Sequence, residues 1–180
     1  SLPRSLKVIS NGAFANCRYL TSVQLQNECE TIGYAAFWNC IRLKNINIPT
    51  SCQEIDAFAF GDTRIYGITL PDGIKKIGYS AFSSSELTSI NIPESVEYLD
   101  PLAFVGCSKI KSFIGKFSTS DGYAIVQEVN DIPTLCSFAT GAEIESYVIS
   151  KDVKQIANYA FSGSNVNTVN IHEDIEFIPV

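Results

Sequence analysis

The chain of 180 residues contains no methionine, one histidine and one tryptophan, and only 18% of its residues are charged. Without methionine, the natural start is expected to be missing, so the sequence is predicted to be a processed form or an excised segment. No apolar run approaches the length of a membrane span. The net charge of −6 argues against a nucleic-acid groove, which needs clustered lysine and arginine. The 46% hydrophobic content predicts one compact soluble unit.

Catalytic motifs are also scarce. No metal cluster or nucleophile–base pair can be built around the single histidine, His172, which is interpreted as a turn residue. The sequence has no Cys-x-x-Cys, no P-loop and no Gly-x-Ser-x-Gly. Scattered aspartates and glutamates are typical of solvated loops, and a carboxylate pair for glycoside hydrolysis remains open without any residue being singled out. We therefore predict no catalytic residue, no metal and no cofactor.

A short phrase recurs instead, in which isoleucine or leucine is followed four residues later by Ala-Phe. Its phenylalanines are Phe14, Phe37, Phe60, Phe82, Phe104 and Phe161, which lie 23, 23, 22, 22 and 57 residues apart. A fixed period of this size predicts a solenoid, and each repeat is called a rung below. The phrase leads into Leu-x-x-Ile-x-Ile, whose alternation predicts a strand with one buried face. Proline at positions 49, 71 and 93 ends three of these strands.

The Ala-Phe phrase is interpreted as one tight helical turn. Ser10, Asp56 and Asp100 stand where an N-cap oxygen would accept free amides, and Pro101 suits a first helical position. Alanine is expected where neighbouring rungs approach closely, and phenylalanine is expected to fill the interior. The predicted fold is an α/β repeat solenoid: a right-handed coil of 22–23-residue rungs, each with a short parallel β-strand and a tight helical turn.

Five of the six cysteines occupy positions where small apolar residues pack. Cys17, Cys40 and Cys107 fall in the longer turns, and Cys29 and Cys52 share another column. Buried free thiols are the favoured interpretation, because free cysteine packs as a small hydrophobe. The alternative is a disulfide between rungs, joining Cys17 to Cys40 or Cys29 to Cys52. Stacked rungs satisfy the Cα distance, but parallel Cβ vectors make the geometry poor.

The 57-residue gap predicts an insertion within about 116–143 of a single domain spanning 1–180. In one interpretation the extra residues lie near 116–132, and Ser137-Phe138 is a degenerate Ala-Phe. A rival interpretation makes 123–127 and 134–139 a β-hairpin that replaces a turn. Asp121-Gly122 marks a turn in either case.

Both ends of the chain are predicted to be cut inside repeats. The sequence stops at Ile178-Pro179-Val180, where another phrase would begin, and Leu2 belongs to the tail of a repeat whose front is absent. Solenoids need caps, so more chain on both sides or end-to-end self-association through the uncapped repeats is expected.

The solvent side of the strands is the best candidate for binding, because it presents short, uncharged hydrogen-bonding groups on a rigid sheet. The candidate residues are Gln24, Asn45, Asn47, Thr69, Ser89, Asn91 and Asn170. The alternative is that any exposed strand face must be polar for solubility.

Apolar residues replace this polar pattern beside the insertion, at Ile114 and Val148. We predict that the insertion folds over both, whereas a partner site is favoured if they are exposed. Tyr123 in the insertion and Trp38 in a turn are further binding candidates. Trp38 is either an interface anchor or a ring that shields the core of its turn.

The phrase Ile-x-x-x-Ala-Phe-x-x-Cys-x-x-Leu-x-x-Ile-x-Ile-Pro-x-x-Val resembles the BspA-like leucine-rich repeats. The match is strongest at 32–52 and covers nearly the whole chain. The segment from Ser120 to Ile149, with its Asp-Gly turn, is similar to the hairpin that often interrupts this family. The asparagine ladder of ordinary leucine-rich repeats is missing, as in the BspA-like branch. That ladder position holds Glu28, Ser51, Gly73, Ser95 and Asp152.

The resemblance implies a secreted or surface-exposed protein of a bacterium or parasitic protist. It further implies adhesion to host proteins such as extracellular-matrix components, and it offers no catalytic motif. The first functional hypothesis is therefore a non-enzymatic protein-binding module, located outside the cell or on its surface, with no nucleic-acid partner and no membrane insertion by this segment. A structural spacer or stalk that presents another domain is the alternative. An accessory domain of an enzyme whose catalytic part is missing is a third.

Overall fold

Within the described residues, fourteen short strands joined by tight turns form a leucine-rich-repeat β-solenoid of about seven turns. The computed structural model describes residues 3–25 and 27–178. Leu2, Pro179 and Val180, on which the prediction of cut repeats partly depends, lie outside these ranges. The strands are β1 Val8–Ile9, β2 Ser22–Gln24, β3 Thr31–Ile32, β4 Asn45–Asn47, β5 Glu54–Ile55, β6 Lys76–Ile77, β7 Ser89–Ile92, β8 Tyr98–Leu99, β9 Ser112–Gly115, β10 Ala124–Val129, β11 Ile132–Phe138, β12 Ser146–Val148, β13 Gln155–Ile156 and β14 Thr168–Asn170.

The strands form two groups that alternate along the chain. The front sheet consists of the parallel pairs β2–β4, β7–β9 and β12–β14. The back sheet consists of β1, β3, β5, β6 and β8 in that order, followed by the three-stranded β10-β11-β13. Ser22 lies opposite Asn45, and Glu54 lies opposite Lys76. Equivalent residues of successive rungs therefore stack on one another at the predicted period of 22–23.

The predicted helical turn is wrong, because the described residues contain no helix. Five of the six Ala-Phe phrases instead lie between two residues in the left-handed region, such as Ala35 (φ 52°) and Asn39 (φ 59°). The phrase at Phe104 has a left-handed residue only after it, at Gly106. The Ala36 N–H donates to Gly33 O at 3.1 Å, a tight-turn bond, whereas the next amide, Phe37 N–H, donates to Ala59 O of the neighbouring rung at 2.8 Å. A helix would keep both bonds within the segment. In this phrase every second backbone N–H donates to a carbonyl of the next rung, so a helix does not form.

The three predicted N-cap residues consequently have no helix to cap. Asp100 still closes its turn, since its Oδ1 accepts the Leu102 N–H at 2.9 Å. Asp56 Oδ1 accepts the Ala57 N–H at 2.8 Å. No bond of the Ser10 hydroxyl is found among the described residues. Aspartate at this position therefore shapes the turn locally rather than acting on a helix end.

The core is a column of phenylalanine rings, as the spacing predicts. Phe37, Phe60 and Phe82 are fully buried, and successive ring centroids from Phe14 to Phe104 lie 5.1–5.8 Å apart in stacked geometry. The alanines that precede these three phenylalanines have no exposed surface. The inference of a small residue at the close approach and a ring in the interior is confirmed.

The insertion is an antiparallel hairpin, as the rival interpretation predicted, although the hairpin does not replace a turn. Ser137-Phe138 stands in the place of an Ala-Phe, as the first interpretation predicted, because the Phe138 ring stacks on Phe161 at 4.8 Å and the Phe138 N–H donates to Ala160 O. Strands β10 and β11 are joined by Asn130 and Asp131, which have φ of 53° and 63°, as a two-residue hairpin turn requires. The preceding Asp121-Gly122 turn also forms, with Asp121 Oδ1 accepting the Tyr123 N–H at 2.9 Å. Strand β11 pairs in parallel with β13 and thus occupies the place of a back-sheet strand.

All six cysteines are free, and five are buried. The exception is Cys17, which was predicted to be buried but is exposed in the first rung. Inside the solenoid the thiols bond to main-chain oxygens: Cys40 Sγ lies 3.1 Å from Phe14 O, and Cys107 Sγ lies 2.9 Å from Phe82 O. These cysteines therefore both fill space and satisfy turn carbonyls between rungs.

We expect a thiol reagent to modify one cysteine in the native protein and six after unfolding. Burial raises the pKa of Cys40 to about 11 and of Cys52 to about 12, so neither forms appreciable thiolate near neutral pH. Intact mass after iodoacetamide treatment measures the number of adducts. Cys17→Ser should abolish the native adduct. Only four adducts after unfolding, instead of six, would show a disulfide. Three or more adducts on the native protein would show that the buried thiols are accessible to the reagent.

Candidate functional site

The front sheet places the predicted polar residues in two adjacent columns. Ser22 lies beside Asn45, and Gln24 lies beside Asn47 in the β2–β4 pair. In the β7–β9 pair, Asn91 lies beside Ile114. Of the seven predicted strand-face residues, all are exposed except Ser89, which is half-buried. The columns expected from the alternation are thus present on the outer side of the solenoid.

This face is not flat, because within the described residues no front-sheet strand forms between β4 and β7. A depression of about 560 Å³ opens there, over Gly67, beside which a Cβ would find nothing within 4 Å. We call it the front groove, and it is lined by Ile46, Asn47, Ile48, Gly67, Ile68, Thr69, Ser89, Asn91 and Ile114. The groove brings together four of the seven predicted polar residues and one of the apolar ones. Gln24, Asn45 and Asn170 lie outside its lining.

Asn47 has a structural role that the sequence did not reveal. Its Oδ1 accepts the Leu25 N–H at 2.8 Å, and its Nδ2 donates to Leu25 O at 3.0 Å. The side chain therefore holds the backbone of the preceding rung just beyond the last residue of β2. By contrast, no hydrogen bond within the described chain engages the side chains of Thr69 or Asn91. Those two groups remain available to a ligand.

Tyr66 is an exposed aromatic beside the groove that was not predicted. It is 53% exposed and its hydroxyl lies 3.4 Å from Asn45 Oδ1. The signal was present in the sequence, since Thr21, Lys44 and Thr88 occupy this position in other rungs. Tyrosine supplies a large apolar surface with a polar tip, which suits an interface.

The prediction that the insertion covers Ile114 and Val148 is wrong. These side chains are 54% and 68% exposed. The physical reason is the direction of the hairpin: β10 and β11 join β13 in the back sheet and leave the front sheet uncovered. Two apolar side chains thus remain open on an otherwise polar face, which favours a partner site over an internal cover.

Tyr123 and Trp38 do not line the front groove. Tyr123 is half-buried and packs against the cores on both sides of the insertion. Trp38 is 37% exposed, and its Nε1 donates to Asp62 Oδ2 at 3.1 Å. A Cβ on Gly61 would lie 3.1 Å from Cδ1 of this ring, which is closer than an ordinary van der Waals contact. These contacts fit the interpretation of Trp38 as a shield over the turn.

Acidic, thiol and imidazole groups are scattered across the molecule. Within residues 3–25 and 27–178, no three such side chains come close enough to hold a metal ion. His172 lies in a turn, with Nε2 3.0 Å from Ser150 O and Nδ1 3.7 Å from Asp174 Oδ2. None of the described residues belongs to a helix with the length and hydropathy of a membrane span.

A family profile described as the BspA type leucine rich repeat region matches residues 1–111 and 123–180 in six copies. The chain belongs to this family. The unmatched residues, 112–122, contain β9 and the Asp121-Gly122 turn, where the insertion begins. Membership of the BspA type family agrees with the repeat period and with the missing asparagine ladder.

Crystal structures of bacterial leucine-rich repeat proteins share this fold. One from Bacteroides ovatus is 23% identical, with a TM-score of 0.61 over 92% of this chain and 53% of that chain. One from Eubacterium ventriosum is 16% identical, with a TM-score of 0.68 over 89% and 50%. A leucine rich cell surface protein from Faecalibacterium prausnitzii is 20% identical, with a TM-score of 0.50 over 91% and 60%. The chain spans about half the length of the first two. None of the curated proteins compared with the chain matches it.

Proposed function

We propose that this BspA-type chain is a non-enzymatic, surface-exposed or secreted module that binds a host or extracellular-matrix protein through the front groove. The observation that carries the proposal is the exposure of Ile114 inside a depression otherwise lined by uncharged side chains. Proteins of this family are generally interaction or surface modules, and one structural relative is a cell surface protein. We extend both properties to this chain.

The lining of the groove has the composition of an interface centre. It contains no charged residue, so binding does not require an ion to be stripped of water. Ile114 offers an apolar anchor, Thr69 and Asn91 offer free hydrogen-bonding groups, and Tyr66 lies at the margin. Aromatic and apolar anchors surrounded by polar groups carry most of the energy in protein interfaces.

The groove is also preorganised. Five of its nine lining residues belong to β4, β7 and β9, and the buried Ile90 and Phe113 hold β7 and β9 against the core. A binding surface that is already ordered loses little conformational entropy on association. Exposed Val148 extends the apolar character of the front sheet beyond the insertion.

The proposal is tested with a triple variant, Thr69→Lys, Asn91→Lys and Ile114→Lys. Asn47 is left unchanged, because its substitution would remove two bonds to the Leu25 backbone. The matched control is Thr50→Lys, Gln53→Lys and Val8→Lys, three exposed residues outside the front sheet with similar side chains and the same charge change. The wild-type chain is screened on an array of immobilised extracellular-matrix and cell-surface proteins, and affinities are then measured for both variants.

We expect the groove variant to lose at least about 30-fold in affinity, equivalent to about 2 kcal/mol, with the control within about threefold of wild type. An equal loss of affinity in the groove variant and the control variant would show that the partner binds outside the front groove. A wild-type chain that binds nothing on the array would favour the spacer or stalk, in which the polar face serves solubility alone.

A further inference from the structure

The back sheet is interrupted between β8 and β10. No Cα of Tyr98–Leu99 lies within 8 Å of a Cα of Ala124–Val129, so the two strands are not neighbours in a ladder. They are nevertheless connected, since Gln127 Nε2 donates to Leu99 O at 2.8 Å. The Cα atoms of Leu99 and Gln127 are therefore more than 8 Å apart. They are at most roughly 10 Å apart, the distance that one glutamine side chain and one hydrogen bond can span. Two strand spacings amount to roughly 9.5 Å, so the gap has the width of one missing strand.

On the β8 side of this gap lie main-chain carbonyls that, in the regular rungs, accept hydrogen bonds from amides of the following rung. Lys75 O accepts the Glu97 and Tyr98 amides of the following rung, and Ile77 O accepts that of Asp100. The equivalent acceptors at β8 are the carbonyls of Glu97 and Leu99. Leu99 O receives only the Gln127 side chain, and no residue within the described ranges donates to Glu97 O. Strand β8 is therefore a parallel-sheet edge that the next rung leaves open.

The β10 side carries unpaired main-chain groups as well. Val129 and Ile132 pair across a two-residue loop, so Glu128 faces Pro133 in a non-hydrogen-bonded pair. The Glu128 N–H and C=O consequently point away from β11, towards the gap. In keeping with this alternation, the outward Val126 N–H donates to Phe117 O at 2.8 Å. The segment at Phe117 thus closes one end of the gap, and the Glu128 end stays open.

A cavity of about 670 Å³ occupies the gap. Its walls are Glu97, Tyr98, Leu99, Pro101, Phe117, Gln127, Glu128, Val129 and Asn130. We call this cavity the back slot. The Gln127 side chain crosses the back slot to Leu99 O, and the two strand edges form its sides. It lies in the back sheet and shares no lining residue with the front groove.

The open end of the back slot is acidic. Glu128 is exposed in the lining and forms no ion pair within the described residues, whereas Glu97 is paired with Lys75 at 2.8 Å. Asp131, in the hairpin loop outside the lining, is likewise exposed and forms no ion pair within the described residues. The nearby Lys116 is held at the closed end, where its Nζ bonds to main-chain oxygens. Charge complementarity therefore favours a positively charged residue beside Glu128.

We propose that the back slot binds one extended segment of a partner protein, which displaces the Gln127 amide from Leu99 O, pairs with β8 on one side and β10 on the other, and places lysine or arginine beside Glu128. The inserted segment completes the interrupted back sheet. Main-chain bonds supply most of the recognition, as in other cases of strand addition. This site is independent of the front groove and of the function proposed for it.

The experiment uses a capped peptide of alternating lysine and threonine, about seven residues long, and the same peptide with every second main-chain nitrogen methylated. Both peptides have the same charge, but the second has lost the donors on one edge. Two variants of the chain complement them. Glu128→Pro removes an outward N–H that the hairpin does not use, a substitution that strand edges tolerate. Glu128→Gln keeps the N–H and removes only the charge.

We expect the unmethylated peptide to bind the wild-type chain saturably and to slow hydrogen exchange of the Glu128 amide. Methylation of the peptide and Glu128→Pro should each weaken binding by about tenfold or more, and Glu128→Gln should weaken it by a few fold. Binding that is equal for both peptides would be non-specific attraction to the negative chain and would overturn the proposal. So would the absence of saturable binding up to about 1 mM peptide, the limit of a useful affinity. The front-groove triple variant should bind the peptide as wild type does, which separates the two sites.

Discussion

Replacing Phe60 with alanine is expected to lower the free energy of unfolding by about 3–5 kcal/mol. Phe60 has no exposed surface, and its ring stacks on Phe37 and Phe82 with both centroid distances at 5.5 Å. Removing the ring leaves a void in the middle of the column, and the rungs above and below cannot close it because their strands are hydrogen-bonded in fixed register.

Thermal unfolding followed by circular dichroism measures this effect. For a chain of this size, the melting temperature should fall by about 10 °C, given roughly 2–4 °C per kcal/mol. Phe177→Ala is the matched control, because Phe177 is 53% exposed and its loss should shift the midpoint only slightly. Equal shifts for the two variants would contradict the central place of the phenylalanine column.

Gly115→Ala is expected to cost about 2–5 kcal/mol, the sum of left-handed backbone strain and overpacking. Gly115 ends β9 with φ of 85°, in the region that side chains disfavour. A Cβ at this position would also clash with Ile92 O and would lie 2.6 Å from the Asn91 side chain. Glycine at this point therefore lets the chain turn from the front sheet into the insertion without backbone strain or overpacking.

Substitutions at two other glycines separate the cost of backbone strain from the cost of overpacking. Gly163 has φ of 81° with no atom near its Cβ position, so Gly163→Ala should cost about 1–2 kcal/mol through the backbone alone. Gly67 has neither a positive φ nor a close neighbour, so Gly67→Ala should change stability by less than about 1 kcal/mol. Chemical denaturation of the three variants should rank them in that order. A Gly115→Ala variant as stable as Gly67→Ala would contradict the close approach at β9.

Much of the fold could be predicted because the repeat period shows which residues of successive rungs lie opposite one another. A period of 22–23 residues with alternating apolar positions specifies which residues stack, and the phenylalanine column and the paired strands follow from it. The hairpin was predictable as one of two interpretations, since 123–127 and 134–139 are rich in apolar residues and flank a segment that contains Asn130-Asp131.

The helical turn was the main error, and its cause is local. The sequence shows a compact six-residue phrase, but not that Ala35, Phe58 and Ser80 adopt a left-handed backbone. A partial signal existed, because asparagine, aspartate or glycine stands two residues after most of the phenylalanines. These residue types tolerate positive φ and indicate a reversal of the chain rather than a helix.

The sites depend on tertiary geometry that a single sequence does not contain. The polar columns were predicted, but the groove arises from the loss of a strand around Gly67, and its apolar member is open because the hairpin lies on the other sheet. The structural bonds of Asn47 to Leu25 and the strand-wide gap beside β8 are likewise set by how rungs stack. Each requires the relative positions of segments at least 20 residues apart.

Site-specific photo-crosslinking tests the proposed binding function most directly. A benzophenone side chain is placed at Asn91 in the front groove, or at Gln53 outside the front sheet, and each protein is irradiated with the partner identified on the array. We predict a crosslinked partner from position 91 and none from position 53. Crosslinking from position 53 with none from position 91 would contradict the account, because the partner would then bind outside the front groove.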